Sequence, residues 1–436
     1  MNRSNKFYLV VFAIISLFFG FVSSLFAAPG QETFTAYILD MEDQFIPKLS
    51  QSIATMKLGE GSIELSLLGR VDDREYYRIA RSRAANPGRV DMDSDEEYHL
   101  VVYKSSSFET KDLSVEFNEY GKSWFNQYPE VTLTTKTNVP VIMNGIVNMV
   151  NLDHAQSGAP HQFLELLGGV ARQVPVLKRL DHPVILKLAY DPSQTGSIPV
   201  LELPGKNYQD AFEASPRSLD QTLADMTSLA SALKHAHERS IAHGDIRLGH
   251  VYLKEGQVLL THFERSSDVS AESGAQKLGR KKFTFYNNEY HAPELRYPNG
   301  FGQKWKYTHA TLEGDVWSFG MMLAEALYLT PVGHEMALAS RVGQPLWQHF
   351  ERVSSEDIGS VADKDKQWEQ VPLTRYFRHL KADAPAYKTK QPSDYEAEIL
   401  KATQSIINDC THPDPAKRPD AHEVFERLNA IRHSSS

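Results

Sequence analysis

The strongest constraint on the fold of this chain is a series of short motifs that follow one another through its C-terminal half. The first is His243-Gly244-Asp245-Ile246-Arg247-Leu248-Gly249-His250, and His262-Phe263-Glu264 begins twelve residues after its last histidine. The later motifs are His291-Ala292-Pro293-Glu294, Asp315-Val316-Trp317-Ser318-Phe319-Gly320 and Asp414-Pro415-Ala416-Lys417-Arg418-Pro419. A lone His-x-Asp arises by chance in many proteins, so the argument rests on the order of the whole series.

In this order the motifs resemble those of the protein kinase family, which reads H-R-D-x-x-x-x-N, D-F-G, A-P-E, D-x-W-S-x-G and D-P-x-x-R-P. In that family the first Asp orients the substrate hydroxyl, while the Asn and the second Asp hold Mg²⁺ on the ATP phosphates. The resemblance gives the first role to Asp245 and places His250 and His262 at the two metal-ligand positions. It also implies that Asp315 hydrogen-bonds the catalytic-loop backbone and that Glu294 pairs with Arg418.

The resemblance covers roughly residues 112–432 and implies an α+β, bilobal kinase-like fold. A β-rich N-lobe is expected over about 112–203 and a helical C-lobe over about 204–432. Apolar periodicity from Leu219 to Glu238 predicts the long helix that leads into the catalytic loop. The apolar run Ile198–Leu203, which ends at Pro-Gly, predicts the strand that enters the hinge between the lobes.

Residues 29–111 precede this region and predict a small α+β extension, because strand-like alternation recurs at Ser62–Leu68 and Tyr98–Tyr103. Two segments here resemble nucleotide-binding elements: Leu58–Gly61 a Gly-rich loop, and Val101–Lys104 the strand that carries the ATP lysine. Accepting both would leave roughly sixty residues before the regulatory helix, where the family has a short connection. The spacing argues against this assignment.

A better-spaced phosphate loop is Gly121-Lys122-Ser123-Trp124-Phe125-Asn126, which aligns with G-x-G-x-F-G. Glycine is needed there because backbone N–H groups must approach the phosphates closely. Ser123 and Asn126 occupy two of the three glycine positions, which indicates a degraded cradle. The strand that follows, ending at Met143 or at Val150, offers no lysine at the ATP position.

The glutamate that pairs with this lysine in the family aligns with Gln173, counting back from His182. Pro175 is predicted to disturb a regular helix at this point. Glu165 is an alternative partner if the helix is displaced. The Lys-Glu pair of an assembled active kinase is therefore expected to be absent.

These substitutions bear directly on the cofactor. Mg²⁺ prefers oxygen ligands, so ATP and Mg²⁺ are expected to bind weakly or not at all. His250 and His262, with Asp245 and Glu264, instead offer ligands that suit Zn²⁺ or another transition metal. The alternative interpretation is that both histidines fill or hydrogen-bond the emptied cleft. Asp245 and Arg247 retain the chemistry to place a hydroxyl and a phosphate.

The N-terminus predicts export, since Arg3 and Lys6 precede an uncharged run over residues 7–28. Two interpretations stay open: a signal peptide over residues 1–28 that is cleaved, or an uncleaved membrane anchor through residues 7–28. Either one places the kinase-like domain outside the cytoplasm, in the periplasm, secreted or anchored, because positive charge stays inside.

Composition limits the kinds of partner that this chain is expected to bind. The net charge of -9 and a pI near 6.0 argue against nucleic acid. The single cysteine, Cys410, cannot form an internal disulfide and is predicted to be a small core residue. An exported domain without disulfides is more typical of a bacterial protein than of a eukaryotic secretory-pathway kinase.

Three functions are compatible with this sequence. The first is an exported pseudokinase that binds or scaffolds a protein partner through its C-lobe and the activation segment Arg265–Tyr290. The second is an active atypical kinase or nucleotide transferase that uses Asp245, inside a host cell if the chain is a secreted bacterial effector. The third is a structural, membrane-tethered domain with an occluded cleft.

Overall fold

The fold is taken from a computed structural model of the 436-residue chain. It describes residues 34–39, 45–55, 63–71, 74–81, 98–104, 107–109, 113–117, 130–137, 140, 142–146, 173–190, 200–270, 290–296, 310–333, 335, 348–352, 368–372 and 390–433. The predicted export segment, Glu165 and the predicted phosphate loop with Gly121, Ser123 and Asn126 lie outside these ranges.

The first unit is a four-stranded mixed sheet in the order β1-β4-β3-β2, with one helix between β1 and β2. Its elements are β1 (Phe34–Leu39), α1 (Phe45–Thr55), β2 (Ile63–Val71), β3 (Arg74–Arg81) and β4 (Tyr98–Tyr103). β1 and β4 run parallel and the other neighbours antiparallel. Ile38, Ile79 and Leu100 are fully buried and belong to the main hydrophobic core of the described chain. It lies within the predicted extension.

The second sheet has six strands in the order β5-β6-β7-β8-β10-β9. They are β5 (Ser107–Glu109), β6 (Leu113–Phe117), β7 (Glu130–Thr135), β8 (Ile142–Ile146), β9 (Leu188–Tyr190) and β10 (Val200–Glu202). β5 pairs with β6 as a hairpin, so the expected boundary after residue 111 cuts through this sheet. The predicted phosphate loop falls between β6 and β7, which are antiparallel neighbours.

Val101–Tyr103 lie in β4 of the first sheet, and Lys104 follows them directly. This segment therefore does not supply the lysine strand of the second sheet. Lys104 Nζ lies 3.6 Å from Glu75 Oε2, on the neighbouring strand β3. The spacing argument against this segment agrees with its position in the fold. β8 occupies the place of the lysine strand, and its sequence Ile-Met-Asn-Gly-Ile contains no lysine.

Residues 173–178, ahead of β9, are helical. Pro175, which is predicted to disturb a regular helix at this point, lies among these helical residues and does not interrupt them. The proline ring fixes φ near the helical value and removes only one backbone donor. The buried face of this segment includes Val176 and Leu177, which join the main hydrophobic core.

Helices dominate the C-terminal part. They are α2 (Tyr208–Ala214), α3 (Leu219–His237), α4 (Pro293–Arg296), α5 (Leu312–Tyr328), α6 (Asp394–Cys410) and α7 (Ala421–His433). α3 begins at a capping box, in which Ser218 Oγ accepts from Gln221 N and Gln221 Oε1 accepts from Ser218 N. The predicted span Leu219 to Glu238 is confirmed to within one residue.

α5 is the central helix of this lobe, and every residue from Gly314 to Tyr328 is buried. A Cβ on Gly320 would lie 2.6 Å from Cys410 Cβ, so the glycine of this motif is what allows α5 and α6 to pack closely. Cys410 is fully buried, and burial raises the pKa of its thiol to about 12. The prediction that it is a core residue is confirmed.

Short strands complete the described fold. They are β11 (Lys206–Asn207), β12 (Ile241–Ala242), β13 (Val251–Lys254), β14 (Gln257–Leu260), β15 (Ser267–Asp268), β16 (Gln348–Arg352) and β17 (Trp368–Pro372). β11, β13 and β14 form one small sheet, whereas β12 pairs with β15 and β16 with β17. Across the described ranges, no helix combines the length and apolar character needed to cross a bilayer.

Candidate active-site cleft

Asp315, near the start of α5, hydrogen-bonds the backbone of the catalytic loop. Its Oδ2 accepts the backbone N–H of His243 at 2.6 Å, and its Oδ1 accepts that of Gly244 at 2.8 Å. His237 Nε2 lies 3.1 Å from Oδ2. The Asp315 side chain is only 2 % exposed, so these contacts replace its hydration completely. The contact that the resemblance implied between Asp315 and the loop backbone is present.

Gly244 permits a close approach of two chain segments at this loop. Its φ is +80°, in the left-handed region, and a Cβ there would lie 2.4 Å from the carbonyl oxygen of Arg265. That distance is well inside van der Waals contact, so any side chain would push the segment after His262-Phe263-Glu264 away. The arginine that the kinase family has here is therefore incompatible with the present packing.

Asp245 lies between two arginines. Arg247 Nε is 3.5 Å from its Oδ1 and Arg265 Nε is 3.4 Å from its Oδ2. Burial favours the protonated carboxyl, but the charges of the neighbouring Arg265 and Arg247 prevail and lower the pKa of Asp245 below its usual range. The carboxylate is thus firmly ionised and already engaged, which makes it a weak proton acceptor.

His250, at the first metal-ligand position, uses both ring nitrogens within the protein. Its Nδ1 donates to the carbonyl oxygen of Asp245 at 2.8 Å, and its Nε2 accepts from Arg247 Nε at 3.0 Å. An arginine cannot accept a hydrogen bond, so the imidazole is neutral with its proton on Nδ1. Burial, followed by the nearby His262, lowers the pKa of His250 far below its usual range.

His262, at the second metal-ligand position, stacks on His250. The ring centroids are 4.0 Å apart and the planes differ by 21°. His262 adopts a left-handed backbone, with φ of 64°, a conformation that histidine tolerates better than most residues. Burial lowers the pKa of its imidazole to about 3, although Asp245 acts in the opposite direction. The two rings fill the space where carboxylate and amide oxygens would otherwise hold a cation.

The site does not fit Mg²⁺, because its two ligand positions carry neutral imidazoles rather than oxygens. Nor do the described residues contain a group of three or more His, Cys, Asp or Glu side chains arranged to hold a metal ion. Stacked rings direct their nitrogens along roughly parallel planes, and those of His250 are already hydrogen-bonded. These observations favour the interpretation that both histidines fill the cleft over the transition-metal hypothesis.

The regulatory helix contacts the cleft through an amide. Gln173, fully buried at the position of the family's glutamate, donates from Nε2 to Glu264 Oε1 at 3.4 Å. Glu264 Oε1 is also 3.7 Å from His262 Nδ1. Farther along, Arg179 pairs with Asp268 at 2.6 Å and donates to the carbonyl oxygen of Arg239. These contacts join the helix and the residue after it to the segment at the start of the activation region, and no lysine takes part in them.

Glu294 and Arg418 form the second long-range contact that the resemblance implied. Arg418 Nη1 donates to Oε1 at 2.6 Å and Nη2 donates to Oε2 at 2.9 Å, which is a bidentate pair. The guanidinium also lies 5.0 Å from the ring centroid of Trp317. This network joins α4, α5 and the last motif of the series, and it supports the lobe rather than the chemistry.

The catalytic loop anchored by Asp315, the pair formed by Glu294 and Arg418, and the order of the motifs together define a kinase-like catalytic core with altered metal-ligand positions. The family model for the protein kinase domain matches residues 152–428, which is more than half of the chain. The chain belongs to the protein kinase family.

Two relatives place this match in context. An inactive leucine-rich repeat receptor-like serine/threonine-protein kinase of Arabidopsis thaliana is 24% identical over 356 residues, covering 78% of this chain and 48% of the relative. A meiosis-specific serine/threonine-protein kinase, mek1, of Schizosaccharomyces pombe is 23% identical over 207 residues, covering 43% of this chain and 44% of the relative. The chain therefore spans about half the length of these curated relatives.

The structure brings Asp245, Arg247, His250 and His262 together, as the motif spacing predicted. It adds Arg265, whose only predicted place was the start of the activation segment. A basic residue directly after His262-Phe263-Glu264 was the available indication. Glu264 and Gln173 form a contact across 91 residues of sequence, which no local pattern predicts.

Proposed function

We propose that this chain is a pseudokinase, a catalytically impaired member of its family that works as a binding or scaffold module. The observation that carries the proposal is the stacked pair His250 and His262 at both Mg²⁺-ligand positions. Phosphoryl transfer relies on positioning and on neutralising phosphate charge, and a neutral imidazole supplies no such neutralisation. Single electrostatic groups in active sites contribute roughly 10²- to 10³-fold each, so losing two is severe.

Two further observations support an impaired site. Asp245 is ion-paired with Arg247 and Arg265, and β8 contains no lysine. The relative from Arabidopsis thaliana carries the word inactive in its name, which agrees with this proposal at low identity. The anchoring of the catalytic loop by Asp315 is compatible with either state, because it serves the fold.

The test is transfer of labelled phosphate from ATP to a generic protein substrate and to the chain itself. We expect the wild type, in Mg²⁺ or Mn²⁺, to show no more transfer than Asp245→Asn. Asp420→Asn, on the exposed surface of the C-lobe, controls for loss of a carboxylate elsewhere. Transfer by the wild type and by Asp420→Asn that disappears in Asp245→Asn would instead establish an active atypical kinase or nucleotide transferase.

We also propose export, with a protein partner for the helical lobe. The basis is the uncharged run over residues 7–28 after Arg3 and Lys6, together with a net charge of -9 that disfavours nucleic acid. Proximity labelling with the full chain, expressed in its own cell type, is expected to label proteins outside the cytoplasm. N-terminal sequencing then separates a cleaved signal peptide from an anchor. Labelling confined to the cytoplasm would contradict export.

A further inference from the structure

We infer that the contact between α3 and the turn at residues 181–186 is pH-sensitive: it is closed while His182 and His235 are neutral and opens when they are protonated. The turn follows the regulatory helix and precedes β9. It contacts α3 on one side and β14 on the other. This inference goes beyond the proposed function and does not depend on it, because it concerns the packing of the turn and not the metal-ligand positions.

His182 attaches the turn through both nitrogens of its ring. Its Nδ1 accepts the backbone N–H of Val184 at 3.2 Å, so the neutral ring has its proton on Nε2. That nitrogen lies 3.4 Å from Ser231 Oγ on α3, and the hydroxyl itself donates to the carbonyl oxygen of Ser228 at 2.7 Å. These hydrogen bonds require the neutral imidazole, because a proton on Nδ1 would place two N–H donors against each other.

His235, one helical turn after Ser231, makes a second proton at this contact unfavourable. Its ring centroid is 5.1 Å from that of His182, and its Nε2 is buried with no hydrogen-bond partner among the described residues. A protonated ring would carry an N–H at this nitrogen that needs an acceptor. Two imidazolium rings at this separation would also repel each other. Both features disfavour the charged rings while the turn stays packed on α3.

The charged groups around the two rings do not reverse this preference. The groups that face the rings are Lys187, Arg239, Asp181 and Glu238. The Asp181 side chain is 92% exposed and already pairs with Lys187 at 2.8 Å, and that of Glu238 is 54% exposed, so water screens both carboxylates. Burial is the largest cause at both histidines, and the pKa of each is lowered.

The other side of the turn pairs with β14, which leads to the second metal-ligand position. Leu260 N donates to the carbonyl oxygen of Val184 at 2.7 Å, and Leu186 N donates to that of Leu260 at 3.0 Å. Leu260 is the last residue of β14 and comes two residues before His262. Because the same turn contacts α3 and β14, its release from α3 is expected to loosen the end of β14 as well.

The direction of the pH effect follows from proton linkage. In the open turn both histidines titrate near the ordinary pKa of 6.5, whereas both pKa values are lower in the closed turn. Opening therefore takes up protons, so the closed turn is favoured above pH 6.5 and becomes less favoured as the pH falls below it. Between about pH 7.5 and pH 5.5, the opening constant rises by up to about tenfold for each histidine.

The test is hydrogen exchange of the full chain at about pH 7.5 and pH 5.5, corrected for intrinsic exchange rates. Peptides over residues 181–190 and 256–262 report on the turn and β14, and peptides from α5 report on global unfolding. We expect exchange in the turn to accelerate by about 10- to 100-fold at the lower pH and to stay faster than exchange in α5.

Two variants each remove one titrating ring. In His182→Asn the amide oxygen can still accept the Val184 N–H, as in an Asx turn, so the contact is kept without its proton site. His235→Gln removes the second ring. Each variant should reduce the acceleration by about tenfold or more, because the remaining ring also loses its neighbour. Since each removes a different ring, either one decides the test if the other fails to fold.

The matched control is His412→Asn. His412 Nδ1 accepts the backbone N–H of Asp414 at 3.0 Å, which is the same local hydrogen bond at a distant place in the C-lobe, so this variant should exchange like the wild type in the turn. The inference would be overturned if exchange in the turn accelerates no more than exchange in α5. Acceleration of wild-type size in both His182→Asn and His235→Gln would equally overturn it.

Discussion

Replacing Asp315 by Ala is expected to lower the free energy of unfolding by about 3–5 kcal/mol, the scale for removing one partner of a buried charged network. The carboxylate accepts the backbone N–H groups of His243 and Gly244 and contacts His237. Without it, two buried backbone donors lose their acceptors, and each such loss costs about 1–3 kcal/mol. No other residue in the described loop is bonded to both N–H groups.

The measurement is urea denaturation of the full chain, followed by the shift in midpoint at unchanged slope. The matched control is Asp420→Ala. Asp420 Oδ1 also accepts a backbone N–H, from Glu423 at 2.8 Å, but the residue is exposed and water can replace the lost acceptor. We expect about 1 kcal/mol there, as for other helix-start residues. Equal losses of unfolding free energy in the two variants would show that the Asp315 carboxylate does not stabilise the loop.

The same substitution separates the fold from the chemistry. Asp315 is one of the residues that identify the kinase family, yet it supports the backbone on which His243 and Asp245 lie. Glu294 and Arg418 likewise join α4 to the last motif of the lobe. A sequence can therefore keep all three while its metal-ligand positions change. This is why the C-lobe was predictable from sequence and the activity was not.

The N-lobe was harder to predict for a physical reason. β5 and β9 have three residues each, which is too short for a period-two pattern to stand out. The boundary was consequently set after residue 111, inside the β5–β6 hairpin. The expectation for Pro175 failed for a different reason: proline is disfavoured in helix interiors on average, whereas the cost at one position depends on which carbonyl oxygen is left without its N–H donor.

Within the site, the sequence showed which residues of the family's motifs are replaced, but not which contacts in the folded chain accompany the replacements. Glycine at position 244 was visible, but its consequence depends on the carbonyl oxygen of Arg265, which comes within 2.4 Å of a Cβ built there. The position of Arg265 beside Asp245 depends on the same close approach of the two segments. Such contacts depend on backbone path, and motif spacing alone does not encode it.

The stacked histidines predict that the chain becomes less stable as the pH falls below neutrality. Histidine ordinarily has a pKa near 6.5, and burial lowers the pKa of His262 to about 3 and that of His250 well below its usual range. In the unfolded chain both take up protons near pH 6.5, but the folded chain keeps them neutral. The unfolded state therefore binds more protons, and stability decreases as pH falls through 6.5.

The expected loss of stability follows from the pH range over which the unfolded chain takes up protons. Between about pH 7.5 and pH 5, each histidine with its pKa below that window contributes a loss on the order of 2 kcal/mol. The pKa of Asp245 is lowered despite its burial, because of the charges of Arg265 and Arg247, so its own contribution persists throughout this window. The pH range above 5 therefore separates the contribution of the two histidines from that of Asp245.

His262→Asn tests this directly, because asparagine tolerates the left-handed backbone at φ of 64° and does not titrate. We expect unfolding free energies at the two pH values to differ by about 2 kcal/mol less in this variant than in the wild type. His250 loses the effect of its stacked neighbour in this variant, which raises its pKa and reduces the pH dependence further in the same direction. His422→Gln, on the exposed surface of α7, should reproduce the wild-type dependence. If His262→Asn also reproduces it, the imidazole of His262 takes up its proton in the folded chain as readily as in the unfolded chain, and burial in the stack does not keep it neutral below pH 6.5.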